Sequence, residues 1–287
     1  MGPGPLPSIR CIDTRQFGLP RRGASYAVGS RRVALVETGT PQAAPALLEA
    51  VRGLDLVYIF VSHVHLDHAG SAGALAVAHP QATVVAHPRA VKHLADPRRL
   101  IAGVREASPD LFPLYGEPTP VPVGQLHAAS DGERFDLGGG VVIEAVHAPG
   151  HAPHHACFFE HESRTLFTGD AVGNNGIPVD VPLTVPPRFD FDIALETLKR
   201  LHKLRPASLA FTHFGRVEEN ADTLIDGYRR ELLDWFDRIR ALRKDRSFDA
   251  VVDTVLSESK YEGLPLADRL SIEMCVRGAL LTLNPED

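Results

Sequence analysis

Leu56-Val57-Tyr58-Ile59-Phe60-Val61-Ser62-His63-Val64-His65-Leu66-Asp67-His68 is the stretch on which the reading of this chain turns. Six apolar residues in a row suit a strand buried on both faces. The next turn then carries three imidazoles and a carboxylate within six residues. Imidazole nitrogen and carboxylate oxygen are the ligands that divalent transition metals take, and such a density is hard to place beside a core without a cation. A solvated, His-rich turn is the plain alternative. It loses ground if matching ligands occur elsewhere in the chain.

Short apolar runs continue on either side. Ile9 to Ile12, Ser25 to Val28 and Val33 to Val36 read as strands, with turn signals at Leu19-Pro20 and Gly29-Ser30. A short helix is expected over Ala46 to Val51 and another over Ala69 to Ala78. Thr83 to Ala86 returns as a strand before Pro88 opens a further helix. Phe112 to Gln125 holds four prolines and is expected to be an extended loop, a candidate lid. Strands follow at Val141 to Val146, Ala156 to Phe159 and Thr165 to Phe167, which suggests a second sheet. Asp190 or Asp192 should cap a helix running to about Leu204, and Ser208 to Phe211 makes a last strand. Beyond Glu218 the spacing is helical. Tyr228, Trp235 and Phe236 there read as a packing stripe.

Three further ligand types sit just past apolar runs: His151 in Pro149-Gly150-His151, Asp170 in Thr168-Gly169-Asp170, and His213 in Phe211-Thr212-His213. Chain that leaves a fixed scaffold is where functional side chains are presented. With the first cluster they supply enough ligands for two metals.

Bulk properties bound the remaining classes. The 287 residues allow one large domain or a domain with an appendage, at roughly one domain per 150 residues. The 44% hydrophobic and 23% charged content is that of a globular chain. A formal net charge of -6 argues against a nucleic-acid groove as the main surface. Cys11, Cys157 and Cys275 lie too far apart for a C-x-x-C pair or a disulfide framework, which fits a reducing compartment. Met1 to Pro7 lacks a basic region followed by an apolar stretch, so it reads as a frayed terminus without a secretory signal. No window approaches the roughly 20 apolar residues of a membrane span. A cytoplasmic protein with no membrane or nucleic-acid partner is expected.

Taken in order, the ligands resemble the pattern of the metallo-beta-lactamase superfamily: H-x-H-x-D-H, then a His, an Asp and a final His. The match runs over about residues 9 to 215. The resemblance implies an α/β fold, the four-layer αβ/βα sandwich of two mixed sheets flanked by helices. Residues 1–217 would form the catalytic domain and 218–287 a helical extension packing on it. It also implies two metals at one edge. His63, His65 and His151 would hold the first, Asp67, His68 and His213 the second, with Asp170 bridging; zinc is favoured, with iron or manganese as alternatives.

The common true beta-lactamases carry Cys where Asp170 stands, so the pattern is closer to glyoxalase II, lactonases and related thioesterases. Pro149-Gly150-His151-Ala152-Pro153-His154-His155 is similar to P-G-H-T-x-G-H, with His154 in place of Gly and His155 a candidate to support a ligand. Glu37-Thr38-Gly39 stands where D-T-G is usual, a change that bears on a supporting hydrogen bond and leaves the ligands intact. Water held between two such ions would lose a proton far below its bulk pKa of about 15.7 and serve as a bridging hydroxide nucleophile. Asp67 and Asp170 are the carboxylates expected to act in catalysis, Asp67 by accepting a proton.

The expectation is therefore a hydrolase of a small-molecule ester, thioester or lactone. Phosphodiester hydrolysis on the same metals is the first alternative. A di-iron redox protein is the second, although those relatives usually carry Glu in place of the second His, here His65, together with a flavin domain. Tyr115 is a candidate cap, Asn174 or Asn175 a candidate substrate contact within Ala171 to Pro178, and a homodimer a family expectation.

Overall fold

The computed structural model describes residues 8–175, 181–218 and 220–283. Met1 to Pro7, and the Gly176 to Pro178 part of the candidate substrate segment, lie outside them.

Twelve strands form two six-stranded sheets among the described residues. The first holds β1 (Ile9–Asp13), β2 (Ala24–Gly29), β3 (Arg32–Val36), β4 (Asp55–Val61), β5 (Thr83–Ala86) and β6 (Leu126–Ala128) in chain order. Its first two pairings are antiparallel and the last three parallel. The second runs β12 (Gly215–Val217), β11 (Ser208–Phe211), β10 (Thr165–Gly169), β9 (Ala156–Glu160), β8 (Val141–His147), β7 (Arg134–Gly138). Only β10 and β11 pair in parallel there.

Alternation along each strand builds the layers. Val33, Leu35, Ile59 and Val61 face one cluster with the helices α1 (Ala44–Ala50), α3 (Ala72–Ala78) and α4 (Pro88–Ala95). Ala34, Val36 and Phe60 face the other way, toward Phe158, Phe167 and Ala210 of the second sheet. Phe60 and Phe158 meet at 4.8 Å between ring centroids in that inter-sheet core. The outer face of the second sheet, Cys157, Phe159, Leu166, Leu209 and Phe211, shares one cluster with α7 (Phe191–Lys203), α8 (Ala221–Arg243), α9 (Phe248–Leu256) and α10 (Leu266–Thr282). The result is helix, sheet, sheet, helix. Tyr228, Trp235 and Phe236 are buried in this last cluster, as a packing stripe should be.

Several expectations needed correction. The helix expected over Ala69 to Ala78 is two, α2 (Leu66–Ala69) and α3, broken at Gly70. A Cβ at Gly70 would lie 2.4 Å from both the Leu66 carbonyl oxygen and Pro41 Cδ, and its N–H bonds Gly39 O instead of continuing the helix. Beyond a further helix, α5 (Arg98–Ala107), the proline-rich loop contains a one-turn helix, α6 (Phe112–Tyr115), because Pro113 falls in the first turn, where no N–H is required. Leu111, Phe112, Tyr115 and Val121 are buried, so this segment is packed down. Strands β6, β7 and β12 add to those expected. Asp190 caps α7, accepting from Ile193 N–H at 3.1 Å. Among the described residues no helix is long and apolar enough to cross a membrane.

Candidate metal centre

Strands β8, β10 and β11 run in the same direction, and each releases a ligand past its carboxyl end: His151 after β8, Asp170 directly after β10, His213 two residues after β11. β4 delivers His63, His65, Asp67 and His68 from the first sheet. The short helix α2 turns Asp67 and His68 inward, with His68 N–H bonded to His65 O. All seven residues singled out from the sequence meet here, in two sets. His63, His65, His151 and Asp170 offer ligand atoms within 4.8 Å of one another, and so do Asp67, His68 and His213.

Asp170 faces both sets with different oxygens. Its Oδ2 lies 3.3 Å from His151 Nε2 and 3.9 Å from His63 Nε2. Its Oδ1 lies 3.3 Å from His68 Nε2 and 3.5 Å from His213 Nε2. In the first set His65 Nδ1 is 2.8 Å from His63 Nε2 and 3.1 Å from His151 Nε2. In the second, Asp67 Oδ2 is 3.6 Å from His213 Nε2 and 3.8 Å from His68 Nε2.

The far side of each ring fixes which nitrogen is bare. A carbonyl oxygen can only accept, so His151 Nδ1–H donates to Leu183 O at 2.8 Å and His213 Nδ1–H to Arg22 O at 2.9 Å. His68 Nδ1–H donates to Glu37 Oε2 at 2.5 Å. The three Nε2 atoms therefore face the Asp170 carboxylate, and in each neutral ring that nitrogen is the one left with a lone pair. Lone pairs facing an anion inside a protein repel unless a cation stands between them. His68 Nε2 and Asp170 Oδ1 are buried without a hydrogen-bond partner, which is the signature of groups awaiting a metal. The donor set fits two divalent ions.

Electrostatics agree. Burial, reinforced by the nearby His68 and His65 rings, pushes His63 well below the ordinary imidazole range. Burial, with His151 and His154 adjacent, does the same to His65, and burial also lowers His151 against the pull of Asp170. These rings are neutral, as ligands must be. Burial would lower His68 too, but the carboxylates of Asp170, Glu37 and Asp67 outweigh it and drive it well up. Asp170 would be raised by burial, yet His68, His151 and His213 hold it well below the usual carboxylate range. Around Asp170 and His68 the pocket thus stabilises positive charge.

The supporting groups were only partly anticipated. Glu37 sits at φ 69°, an uncommon conformation for a residue with a side chain, and its Oε1 also accepts from Ser62 N–H at 2.9 Å. Its departure from D-T-G was the signal. Ser62 Oγ lies 2.9 Å from His63 Nδ1. Gln16 Nε2 donates to Asp67 Oδ2 at 2.9 Å across 51 positions of sequence, with no local pattern to announce it. His155 is buried and bonds backbone, accepting from Asp170 N–H at 3.0 Å. Asn175 is tied to the segment after β11, its Nδ2 donating to Phe214 O at 3.1 Å. The Tyr115 ring packs edge-on to Phe17, and burial, followed by the Asp67 and Asp170 charges, raises its hydroxyl well above the ordinary range.

A two-sheet sandwich carrying this ligand order at one edge defines a metallo-beta-lactamase fold. The family model of the metallo-beta-lactamase superfamily matches residues 18–213, and the chain belongs to that superfamily. Among curated relatives it is 31% identical over 250 residues to a putative diflavin flavoprotein A 1 of Thermosynechococcus vestitus, covering 77% of this chain and 40% of that protein. It is 31% identical over 166 residues to the fold-containing protein ST1585 of Sulfurisphaera tokodaii, covering 56% and 62%. The crystal structure of that archaeal protein superposes with a TM-score of 0.73 at 24% identity, over 96% of this chain and 99% of the other. An atrochrysone carboxyl ACP thioesterase of Aspergillus aculeatus is 32% identical over 125 residues, 44% of this chain and 30% of that enzyme. The chain thus spans less than two thirds of the length of these curated relatives.

Proposed function

We propose that the protein is a two-metal hydrolase of a small-molecule ester, thioester or lactone. The observation that carries the reading is the imidazole of His65, whose Nδ1 lies 2.8 and 3.1 Å from His63 and His151 Nε2 and so completes an all-nitrogen set beside the Asp170 carboxylate. His63, His65 and His151 would hold one ion, Asp67, His68 and His213 the other, and Asp170 both. Two such ions, when bound, supply an activated water and a polarised carbonyl, so no Ser or Cys nucleophile is required. Asp67, at 13% side-chain exposure against 5% for Asp170, is the carboxylate placed to take up a proton, and Gln16 holds its orientation. The thioesterase among the relatives supports this bond class.

The test is a panel of thioesters, lactones, carboxylic esters and bis(p-nitrophenyl) phosphate, run on protein of measured metal content. Hydrolysis of a carbonyl substrate, abolished by chelation, is expected. Turnover of the phosphodiester alone would move the reading to phosphodiester hydrolysis. The diflavin relative favours one second reading, a two-iron redox protein. Two zinc ions and no redox-active metal in the purified protein would eliminate it; two iron ions without hydrolysis would favour it.

A further inference from the structure

Two of the bonds that orient the ligand rings go to backbone carbonyls, Leu183 O for His151 and Arg22 O for His213. Neither carbonyl lies in a strand. Each of the two segments is also gripped by the C-terminal helices.

Leu183 is pinned on both sides. Its N–H donates to Tyr228 Oη on α8 at 3.2 Å. The next residue, Thr184, donates its hydroxyl to Cys275 O on α10 at 2.6 Å and accepts from Trp235 Nε1–H on α8 at 3.3 Å. Helix α10 meets this segment backbone to backbone, for a Cβ on Gly278 would fall 1.6 Å from Thr184 O. Arg22 is gripped through its guanidinium: Nε and Nη2 donate to Asp268 Oδ1 at 3.2 Å and Oδ2 at 2.9 Å. Asp268 lies in the first turn of α10 and is 4% exposed. A largely buried ion pair is a weak source of net stability, because desolvating the charges offsets their attraction, but a bidentate one fixes geometry. By contrast, His63 and His68 are oriented by Ser62 and Glu37, beside the first sheet.

Resting on the two-metal reading above, we propose that the C-terminal helices are the mount of the metal centre, with Thr184 and Asp268 as positioning residues: α8 and α10 aim His151 of the first ion through Leu183, and α10 aims His213 of the second through Arg22. Each ion then has one imidazole set by the extension, and the two routes share α10 but leave it at different residues, Cys275 and Gly278 toward Thr184 and Asp268 toward Arg22.

That separation makes the proposal testable by metal affinity alone. Zn²⁺ is titrated into the chelator-stripped full chain against a competing chromophoric chelator, and His151→Ala and His213→Ala identify which binding step belongs to which ion. Asp268→Asn should weaken the His213 step about tenfold, the low end of the 10–100-fold expected of outer partners, and leave the His151 step in place. Thr184→Val should do the reverse, and Thr184→Ser, which keeps the hydroxyl, should restore wild-type affinity. Val255→Ala, a fully buried position in the same helical cluster, controls for general destabilisation and should change neither step. The proposal is overturned if Asp268→Asn and Thr184→Val leave both affinities unchanged, or if each weakens both steps equally, as a general loss of stability would. If the wild-type chain fails to take up two ions, the two-metal reading itself falls.

Discussion

Glu37→Gln is the most informative single substitution, because it removes one charge and almost no volume. Two donors converge on this carboxylate, Ser62 N–H on Oε1 at 2.9 Å and His68 Nδ1–H on Oε2 at 2.5 Å, and the residue is 1% exposed. An amide has one oxygen for these two donors. If that oxygen stays with Ser62, the amide N–H₂ faces His68 Nδ1, and the clash is relieved only by moving the ring proton to Nε2. The nitrogen that would then carry a proton is the one 3.3 Å from Asp170 Oδ1, the ligand atom itself. If the oxygen stays with His68, a buried N–H of Ser62 is left opposite another donor, at a cost of about 1–3 kcal/mol. Loss of an outer partner typically weakens metal binding by roughly 10–100-fold, which is about 1.4–2.7 kcal/mol. The step affected should be the one assigned to Asp67, His68 and His213. Competition titration with Zn²⁺ reads it directly, with circular dichroism to establish that the variant folds. Wild-type affinity at both steps in a folded Glu37→Gln protein would refute the reasoning, and so would a loss confined to the His151 step.

Other consequences follow from the same contacts. Asp170→Asn leaves one carbonyl oxygen where two carboxylate oxygens face two nitrogen sets, so bound metal should fall below two per chain and hydrolysis should drop by more than the roughly 100-fold upper end of an outer-shell change; metal analysis and the substrate panel check both. Gly278→Ala puts a methyl 1.6 Å from Thr184 O and should lower unfolding free energy by about 1–3 kcal/mol in denaturant titrations, weakening the His151 step as well. His87, held to about 4 by burial, then by the His147 ring and Arg89, should titrate near there by NMR, and His147→Asn should raise its midpoint. The sign is that of a base with a depressed folded value: as pH falls below about 6.5 the unfolded chain takes up a proton that the folded one refuses, so the stability His87 costs grows down to its midpoint at about 4 and stays lost below it.

Strands buried on both faces were the most legible parts of the fold. Val33 to Val36, Thr83 to Ala86 and Ser208 to Phe211 stand out because both alternating sets of side chains enter a core, one against helices and one between the sheets. β7 hides because only Phe135 and Leu137 point inward, and β6 and β12 are three-residue strands too short to show a period. The break at Gly70 depends on Pro41, far off in sequence. At the metal centre, the seven ligand residues carry their chemistry in their side chains and could be read in order. Leu183 O and Arg22 O could not, since every residue has a carbonyl and only the tertiary fold selects two of them. Gln16 belongs with these, its contact being set by where a single turn of 3₁₀ helix lands.

Neither ligand set belongs to one sheet. His63 and His65 of the first meet His151 and Asp170 from the second sheet, while Asp67 and His68 meet His213. The spacing of the nitrogens is therefore fixed by how the sheets stack, through Tyr26 against Phe167 and Phe60 against Phe135 and Phe158. A close-packed interior of this kind resists small displacement, so the centre is rigid without a short covalent link between its halves. Rigidity at the sheet interface and adjustability in the loops are separable properties. A change at Phe60 should therefore disturb both ligand sets together, whereas changes at Glu37, Thr184 and Asp268 should each act on one ring. Seven side chains face the centre, but what lies behind the rings differs from one to the next: Ser62 and Glu37 stand behind His63 and His68, while the carbonyls behind His151 and His213 belong to Leu183 and Arg22, residues braced by helices beyond the matched family region.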